Sequence, residues 1–152
     1  MIDSIKLLDV TEQNAEEIAE HWAKDVQKNK RTTYYQNIKK EELINYAVDF
    51  YRNLRKFLTS DNRVEITQEY FKKYAEKCQE IGLPLQEAIY GLILMRRHMW
   101  LYADFQAIFI DALEHNQAID SIMRIMLMMD YAVYEITQYY LDNMPKDSNK
   151  KS

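Results

Sequence analysis

The chain has few of the residues that interrupt helices, with only two glycines and two prolines in 152 residues. Sheet-containing domains need many turns, and glycine and proline are prominent among the residues that form them. Their scarcity predicts an all-α protein. The length suits one domain with a core of its own. We expect that domain to cover residues 1–144 and to be followed by a disordered polar tail, residues 145–152.

Cysteine is also scarce, and features of export or membrane insertion are missing. The single cysteine excludes an internal disulfide and suits the reducing cytoplasm. Residues 1–4 lack the basic segment that precedes the apolar run of a signal peptide. The most apolar window, residues 122–132, contains Arg124 and Asp130 and is too short to cross a bilayer. We therefore expect a cytoplasmic protein without a membrane partner.

Acidic and basic residues are interspersed along the predicted helices. The formal net charge is −4, and the only basic clusters are at residues 28–31 and in the tail. Duplex binding needs a one-sided basic surface that neutralises phosphates. The sequence thus predicts no nucleic-acid partner.

Motifs for catalysis or metal binding are missing as well. A di-iron bundle needs Glu-x-x-His pairs, but the residues three positions before the histidines His21, His98 and His115 are Ile18, Met95 and Ala112. One cysteine excludes a cysteine-rich zinc site, and two glycines leave no glycine-rich phosphate loop. Cys78 lies on an apolar helical stripe, where we expect a buried thiol with a raised pKa. We predict no catalytic residue, no metal and no cofactor.

Apolar spacing and capping signals predict about five helices. Residues 1–10 form either a short helix or an arm, and residues 29–39 form a connector. Gly82 and Pro84 are a helix stop followed by a helix start. The predicted helices cover about 14–28, 40–58, 65–81, 84–114 and 116–144. Two alternatives remain for 84–114: one long helix, or two joined near residues 103–104. A turn at 115–116 is expected to precede the last helix.

The last predicted helix is apolar over more of its circumference than one buried stripe requires. Its main seam has alternating spacings of three and four, with the residues Ile119, Ile122, Met126, Met129, Val133, Ile136 and Tyr140. A stripe facing one core needs an arc of roughly 100°. Apolar residues outside the seam widen the arc well beyond that value: Met123, Leu127, Met128, Tyr131 and Tyr134. We predict a homodimer through 84–114 and 116–142, with the interface residues Ile122, Met126, Met129, Val133 and Ile136.

A ligand pocket is predicted between the third and fourth helices. The turn at residues 82–84 folds the fourth helix back along the third, which places Tyr74 and Cys78 near Met95 and His98. An apolar wall with a few polar groups is typical of small-molecule sites. The alternative is that these four side chains fill the space themselves.

Several short motifs occur in an order that resembles a known family. They are Ile-Ala-Glu-His-Trp at 18–22, Thr-Tyr-Tyr at 33–35, Tyr-Arg-Asn-Leu at 51–54, Cys-Gln-Glu-Ile-Gly-Leu-Pro at 78–84 and Leu-Met-Arg-Arg-His-Met-Trp at 94–100. Over about residues 12–142 the chain resembles the N-terminal domain of the stressosome co-antagonist (RsbR-type) proteins. Those domains are non-haem relatives of the globin-coupled sensors.

The resemblance implies a globin-like bundle that dimerises through its last two helices. It also implies a sensory or regulatory input module in bacterial stress signalling, with a signalling protein as a further partner. In haem-binding sensor globins the proximal histidine stands a few residues before a similar Ile-Gly-Leu element. That alignment puts Cys78 at or near the proximal position, and one helix replaces two around the porphyrin. The resemblance therefore implies no haem.

Three functions follow, none of them enzymatic. The first is the homodimeric, non-haem input module, and the second is a helical adaptor protein with no small ligand. The third is a haem-binding gas sensor, which a Soret band would reveal. Family members usually continue into an output domain, and this chain ends in a polar tail, so it is either a stand-alone module or an input domain cut from a longer protein.

Overall fold

A computed structural model describes residues 5–105 and 112–144 of the chain, and it describes the side chains of 6–103 and 116–144. Within these ranges the chain is helical and has no strand, which confirms the all-α prediction. Six α-helices are present: α1 (Ile5–Gln13), α2 (Ala15–Lys28), α3 (Lys40–Thr59), α4 (Arg63–Glu80), α5 (Leu85–Phe105) and α6 (Ala112–Asp142). A 3-10 helix, Thr33–Asn37, lies in the connector between α2 and α3.

The described bundle has six helices rather than about five, because the N-terminal segment is a helix. Leu7 and Leu8 of α1 are buried in the core. The Arg55 guanidinium of α3 forms two ion pairs with α1, at 2.6 Å from Asp9 and 3.1 Å from Glu12. The apolar burial and these two ion pairs together explain why the segment is a packed helix and not an arm.

The predicted turn at residues 115–116 is wrong, because both residues lie inside α6. No glycine or proline stands there to end a helix, and a polar His-Asn pair alone does not do so. Whether 84–114 is one helix or two depends on residues 106–111, which lie outside the described residues, as does the predicted tail 145–152.

The described helices pack around one core. The α2 helix packs mainly on α3 and α5, and α4 packs mainly on α6 and α3, with little contact between α4 and α5. Aromatic rings fill the centre, where Phe50, Phe57 and Phe71 stack edge-to-face or tilted against one another. Among the helices described, none is both long and apolar enough to cross a membrane.

Candidate functional site

Tyr74 and Cys78, two of the predicted pocket residues, lie together beneath the connector. The Tyr74 hydroxyl donates a hydrogen bond to the Ala88 carbonyl at 3.2 Å and also contacts Tyr35. Cys78 is buried, and burial raises the pKa of its thiol to about 12, although a Tyr74 hydrogen bond and Lys77 oppose the shift. A thiol with that pKa is a poor nucleophile near neutral pH.

The other two predicted pocket residues face different neighbours. Met95 is buried, and its carbonyl accepts a 2.7 Å hydrogen bond from the Tyr51 hydroxyl of α3. His98 lies against α2, with its Nε2 2.7 Å from Asp25 Oδ2. The prediction that α5 folds back along α4 is wrong, because α6 and not α5 covers most of α4. The four residues therefore do not form one pocket between those helices.

Gly91 allows the connector to approach α5 closely. A Cβ at Gly91 would clash with the Tyr35 hydroxyl and would lie 2.8 Å from the Tyr35 Cζ. The Trp22 indole N–H donates to the Gly91 carbonyl at 2.8 Å, and the Trp22 and Tyr35 rings meet edge to face. This glycine therefore has a packing role.

The turn after α4 is fixed by hydrogen bonds from distant tyrosines. Gly82 has a φ of 84°, a left-handed conformation that glycine adopts without strain. The Tyr34 hydroxyl donates to the Ile81 carbonyl at 2.5 Å, and the Tyr140 hydroxyl of α6 donates to the Leu83 carbonyl at 2.7 Å. The connector and α6 thus both hold the 81–83 turn in place.

A buried carboxylate completes the attachment of the connector. Glu87 of α5 accepts a 2.9 Å hydrogen bond from the Tyr34 backbone N–H, and its own carbonyl accepts one from the Tyr35 hydroxyl at 3.3 Å. Sequence inspection missed this residue, because one glutamate in the first turn of a helix looks like an ordinary N-terminal charge. These interior hydrogen bonds hold the connector against α5. Within the described part of the chain, no three His, Cys, Asp or Glu side chains are placed to hold a metal ion.

The outer side of α6 carries a large exposed apolar surface, which we call the α6 face. It consists of seven residues of α6 and one residue just past its end: Ile119, Met123, Met126, Leu127, Tyr131, Tyr134, Leu141 and Met144. Exposure ranges from 41% for Ile119 to 63% for Tyr134. At 3.6 residues per turn the seven helical residues share an arc of roughly 140°. Elsewhere among the side chains described, only Val64 and Leu101 are large, apolar and similarly exposed.

The predicted interface residues divide between this face and the core. Met126 lies on the α6 face and is 46% exposed, and Ile122 and Val133 are half-buried at its edge. Met129 and Ile136 are 2% and 0% exposed in a single chain, so a second copy cannot reach them. The prediction is wrong for these two. The 3/4 seam read from the sequence runs partly along the buried side of α6, and periodicity alone does not show which side faces the core.

A groove of about 390 Å³ borders the α6 face and lies between that helix and the α3–α4 turn. Leu127, Met128 and Tyr131 of α6 form one wall, and Phe57 and Leu58 of α3 form part of the other. Arg63 and Arg124 supply its charge, and no acidic residue lines it. None of the four predicted pocket residues contributes to this groove.

Few charges interrupt the α6 face. Asp130 stands in the row Ile119, Met123, Met126, Asp130 and Tyr134, whose spacings are four, three, four and four. It is exposed and has no hydrogen-bond or ion-pair partner among the residues described. Arg124 lies at the edge, with its Nε 3.0 Å from Asp120 Oδ2. Apolar contact is therefore the main interaction that this surface offers.

No family model, curated protein or solved structure matches this chain. We therefore infer function from the surfaces described above.

Proposed function

We propose that this protein is a non-catalytic regulatory module that works as a homodimer through the α6 face. The observation that carries the proposal is the run of eight large apolar side chains exposed along residues 119–144. Surface leucines that occur singly need no explanation, whereas a contiguous apolar patch is typical of an interaction site. The resemblance to dimeric non-haem input domains supports the same proposal.

The area of the α6 face supports association with another protein surface. The exposed fractions of its eight side chains equal about four whole side chains. At roughly 200 Å² for each whole side chain, the face presents about 800 Å² of mostly apolar surface. That value is close to the area that one partner contributes to an interface of standard size. A second copy of this chain supplies an equal and self-complementary patch, as two-fold symmetric dimers require.

An adaptor without a small ligand is the second candidate, and the interior of the protein favours it over a ligand sensor. Cys78 and Met95 are buried, and His98 is engaged by Asp25, so the predicted pocket residues are used in packing. A signal would then reach the module through a protein partner and pass across the dimer as a shift of α6. Helix shifts at subunit interfaces are an established form of switching.

Substitution at the centre of the α6 face tests the proposal. Met126→Glu should weaken dimerisation by about two orders of magnitude or more, since burying an unpaired carboxylate on each copy costs several kcal/mol. Val64→Glu is the matched control, because Val64 is 45% exposed and Met126 is 46% exposed, and Val64 lies on α4. Sedimentation equilibrium at micromolar concentration measures the association of both variants and of the wild type.

Two outcomes decide whether the protein is a homodimer through the α6 face. A dimer that is lost in Met126→Glu and retained in Val64→Glu supports the homodimer. A wild-type monomer at micromolar concentration refutes it. Leu101→Glu, at a position 50% exposed on α5, shows whether the interface extends beyond α6, as the sequence predicted. Circular dichroism confirms that each variant is folded.

A further inference from the structure

We propose that α6 pairs antiparallel with α6 of a second copy about a two-fold axis at Leu127. Asp130 of each copy then lies level with the partner's Arg124. The inference rests on the proposed function, since it gives a geometry to the same homodimer. Three observations lead to it: the unpaired acid in the α6 face, the single basic residue of α6 and the exposed leucine midway between these two charges.

Asp130 is the charge that any pairing of α6 faces must accommodate. It follows Met126 by four residues and precedes Tyr134 by four, so it points the same way as both. No cation stands three or four residues from it on α6, because those positions are Met126, Leu127, Val133 and Tyr134. An acidic side chain enclosed by apolar contacts without a cation is costly. A stable pairing therefore brings a basic group to it.

Arg124 is the only lysine or arginine in α6, which spans Ala112–Asp142. Its side chain is 42% exposed at the edge of the α6 face, and its existing partner Asp120 is equally accessible. A guanidinium has five N–H donors, so it can bind two carboxylates at once. A contact with the partner's Asp130 is thus compatible with the Asp120 contact inside each chain.

The orientation follows from these two charges. In a parallel two-fold pair each residue of the α6 face lies opposite the same residue of the second copy. The two Asp130 carboxylates would then meet among methionines and leucines. In an antiparallel pair centred on Leu127, residue 130 stands at the level of residue 124, because both are three residues from the axis. In the antiparallel arrangement the two helix dipoles also point in opposite directions, which is favourable for neighbouring helices.

Leu127 suits a position on the two-fold axis. It belongs to the α6 face and stands three residues from both Arg124 and Asp130. Leu127 is itself 58% exposed and would contact the partner's Leu127. Met123 then stands level with the partner's Tyr131, and Asp120 stands level with the partner's Tyr134, whose hydroxyl can donate to it. Charge matching thus selects one register, and the exposed Leu127 lies at its centre.

Disulfide cross-linking tests the register. Leu127→Cys should cross-link to its own copy under mild oxidation, because facing positions approach within the distance that a disulfide spans. Met123→Cys alone should not, since two copies of residue 123 are offset by about 12 Å along the helices at 1.5 Å per residue. Met123→Cys combined with Tyr131→Cys should cross-link. The wild type controls for Cys78, which is buried.

A charge exchange tests the ion pair. Asp130→Arg and Arg124→Asp should each raise the dimer Kd by about tenfold or more, because every dimer loses two symmetric contacts and gains two repulsions. The double variant should return the dimer Kd to within about threefold of the wild type, a recovery that a purely local effect cannot produce. Glu20→Arg on α2 makes the same charge change at an exposed position away from α6 and should leave the dimer Kd unchanged.

The results distinguish this inference from the homodimer itself. A wild-type dimer in which Met123→Cys alone cross-links has either parallel helices or a different antiparallel register, and this result overturns the proposed register but keeps the proposed function. A wild-type dimer in which no charge exchange restores association overturns the Asp130–Arg124 contact. A wild-type monomer overturns both proposals.

Discussion

The replacement of Gly91 by alanine separates helix propensity from tertiary packing. Alanine is favoured over glycine inside a helix by about 1 kcal/mol, so propensity alone predicts that Gly91→Ala stabilises the protein. The structure predicts the opposite, because the new Cβ would clash with the Tyr35 hydroxyl and lie 2.8 Å from its Cζ. Tyr35 is 3% exposed and cannot swing into solvent without leaving the core.

The size of the effect follows from the contacts that Tyr35 would lose. Overpacking a core costs about 1–3 kcal/mol. Loss of the 3.3 Å hydrogen bond to the Glu87 carbonyl adds about 1 kcal/mol. After subtraction of the propensity gain, Gly91→Ala should lower the free energy of unfolding by about 2 kcal/mol.

Urea unfolding followed by circular dichroism measures this free energy for four proteins: the wild type, Gly91→Ala, Tyr35→Phe and the double variant. Removal of the hydroxyl relieves the closest contact of the Cβ and leaves only the contact with Cζ, so the double variant should be more stable than the sum of the two single effects predicts. A Gly91→Ala protein as stable as the wild type, or additive effects in the double variant, would refute the predicted contact between Tyr35 and Gly91.

Three further changes test other parts of the fold. Gly82→Ala should cost about 1–3 kcal/mol of unfolding free energy in urea titrations, because φ is 84° and the Cβ would lie 2.7 Å from the Tyr34 hydroxyl; a neutral effect would contradict the turn geometry. Trp22→Phe should cost about 1–3 kcal/mol in the same titrations, since the buried Gly91 carbonyl loses its indole donor, and an unchanged midpoint would contradict that hydrogen bond. The buried Cys78 thiol keeps its proton up to about pH 12, whereas the unfolded thiol loses it near pH 9, so its contribution is complete below pH 9 and is lost as the pH rises from 9 to 12. Urea midpoints between pH 8 and 11 should therefore fall more steeply for the wild type than for Cys78→Ala, and parallel curves would contradict the raised pKa.

The fold class and most helix limits could be predicted from local chemistry. Two glycines and two prolines leave few places where a helix must end, and Gly82 with Pro84 marks one of them. The predicted ranges 14–28, 40–58 and 65–81 differ from α2, α3 and α4 by no more than two residues at either end. Propensity and capping act within a few residues of the chain, so a single sequence contains that information.

The candidate sites depended on contacts between distant residues. Apolar spacing indicated that α6 has more apolar surface than one core can bury, yet the same spacing did not distinguish the buried Met129 from the exposed Met123. That choice is made by where α4 and α5 pack on α6. Likewise, sequence placed His98 near Cys78 by assuming that consecutive helices are neighbours, and the fold pairs His98 with Asp25 across 73 residues.

The sequence by itself therefore determined an all-α protein whose last helix is apolar beyond the needs of its own core, because composition and periodicity are local properties. Only the tertiary structure decided which side of α6 faces outward, which tyrosines hold the turn at Gly82 and why residue 91 is a glycine. Each of those is set by side chains that approach from other helices, and the order of residues along one helix does not specify what will pack against it.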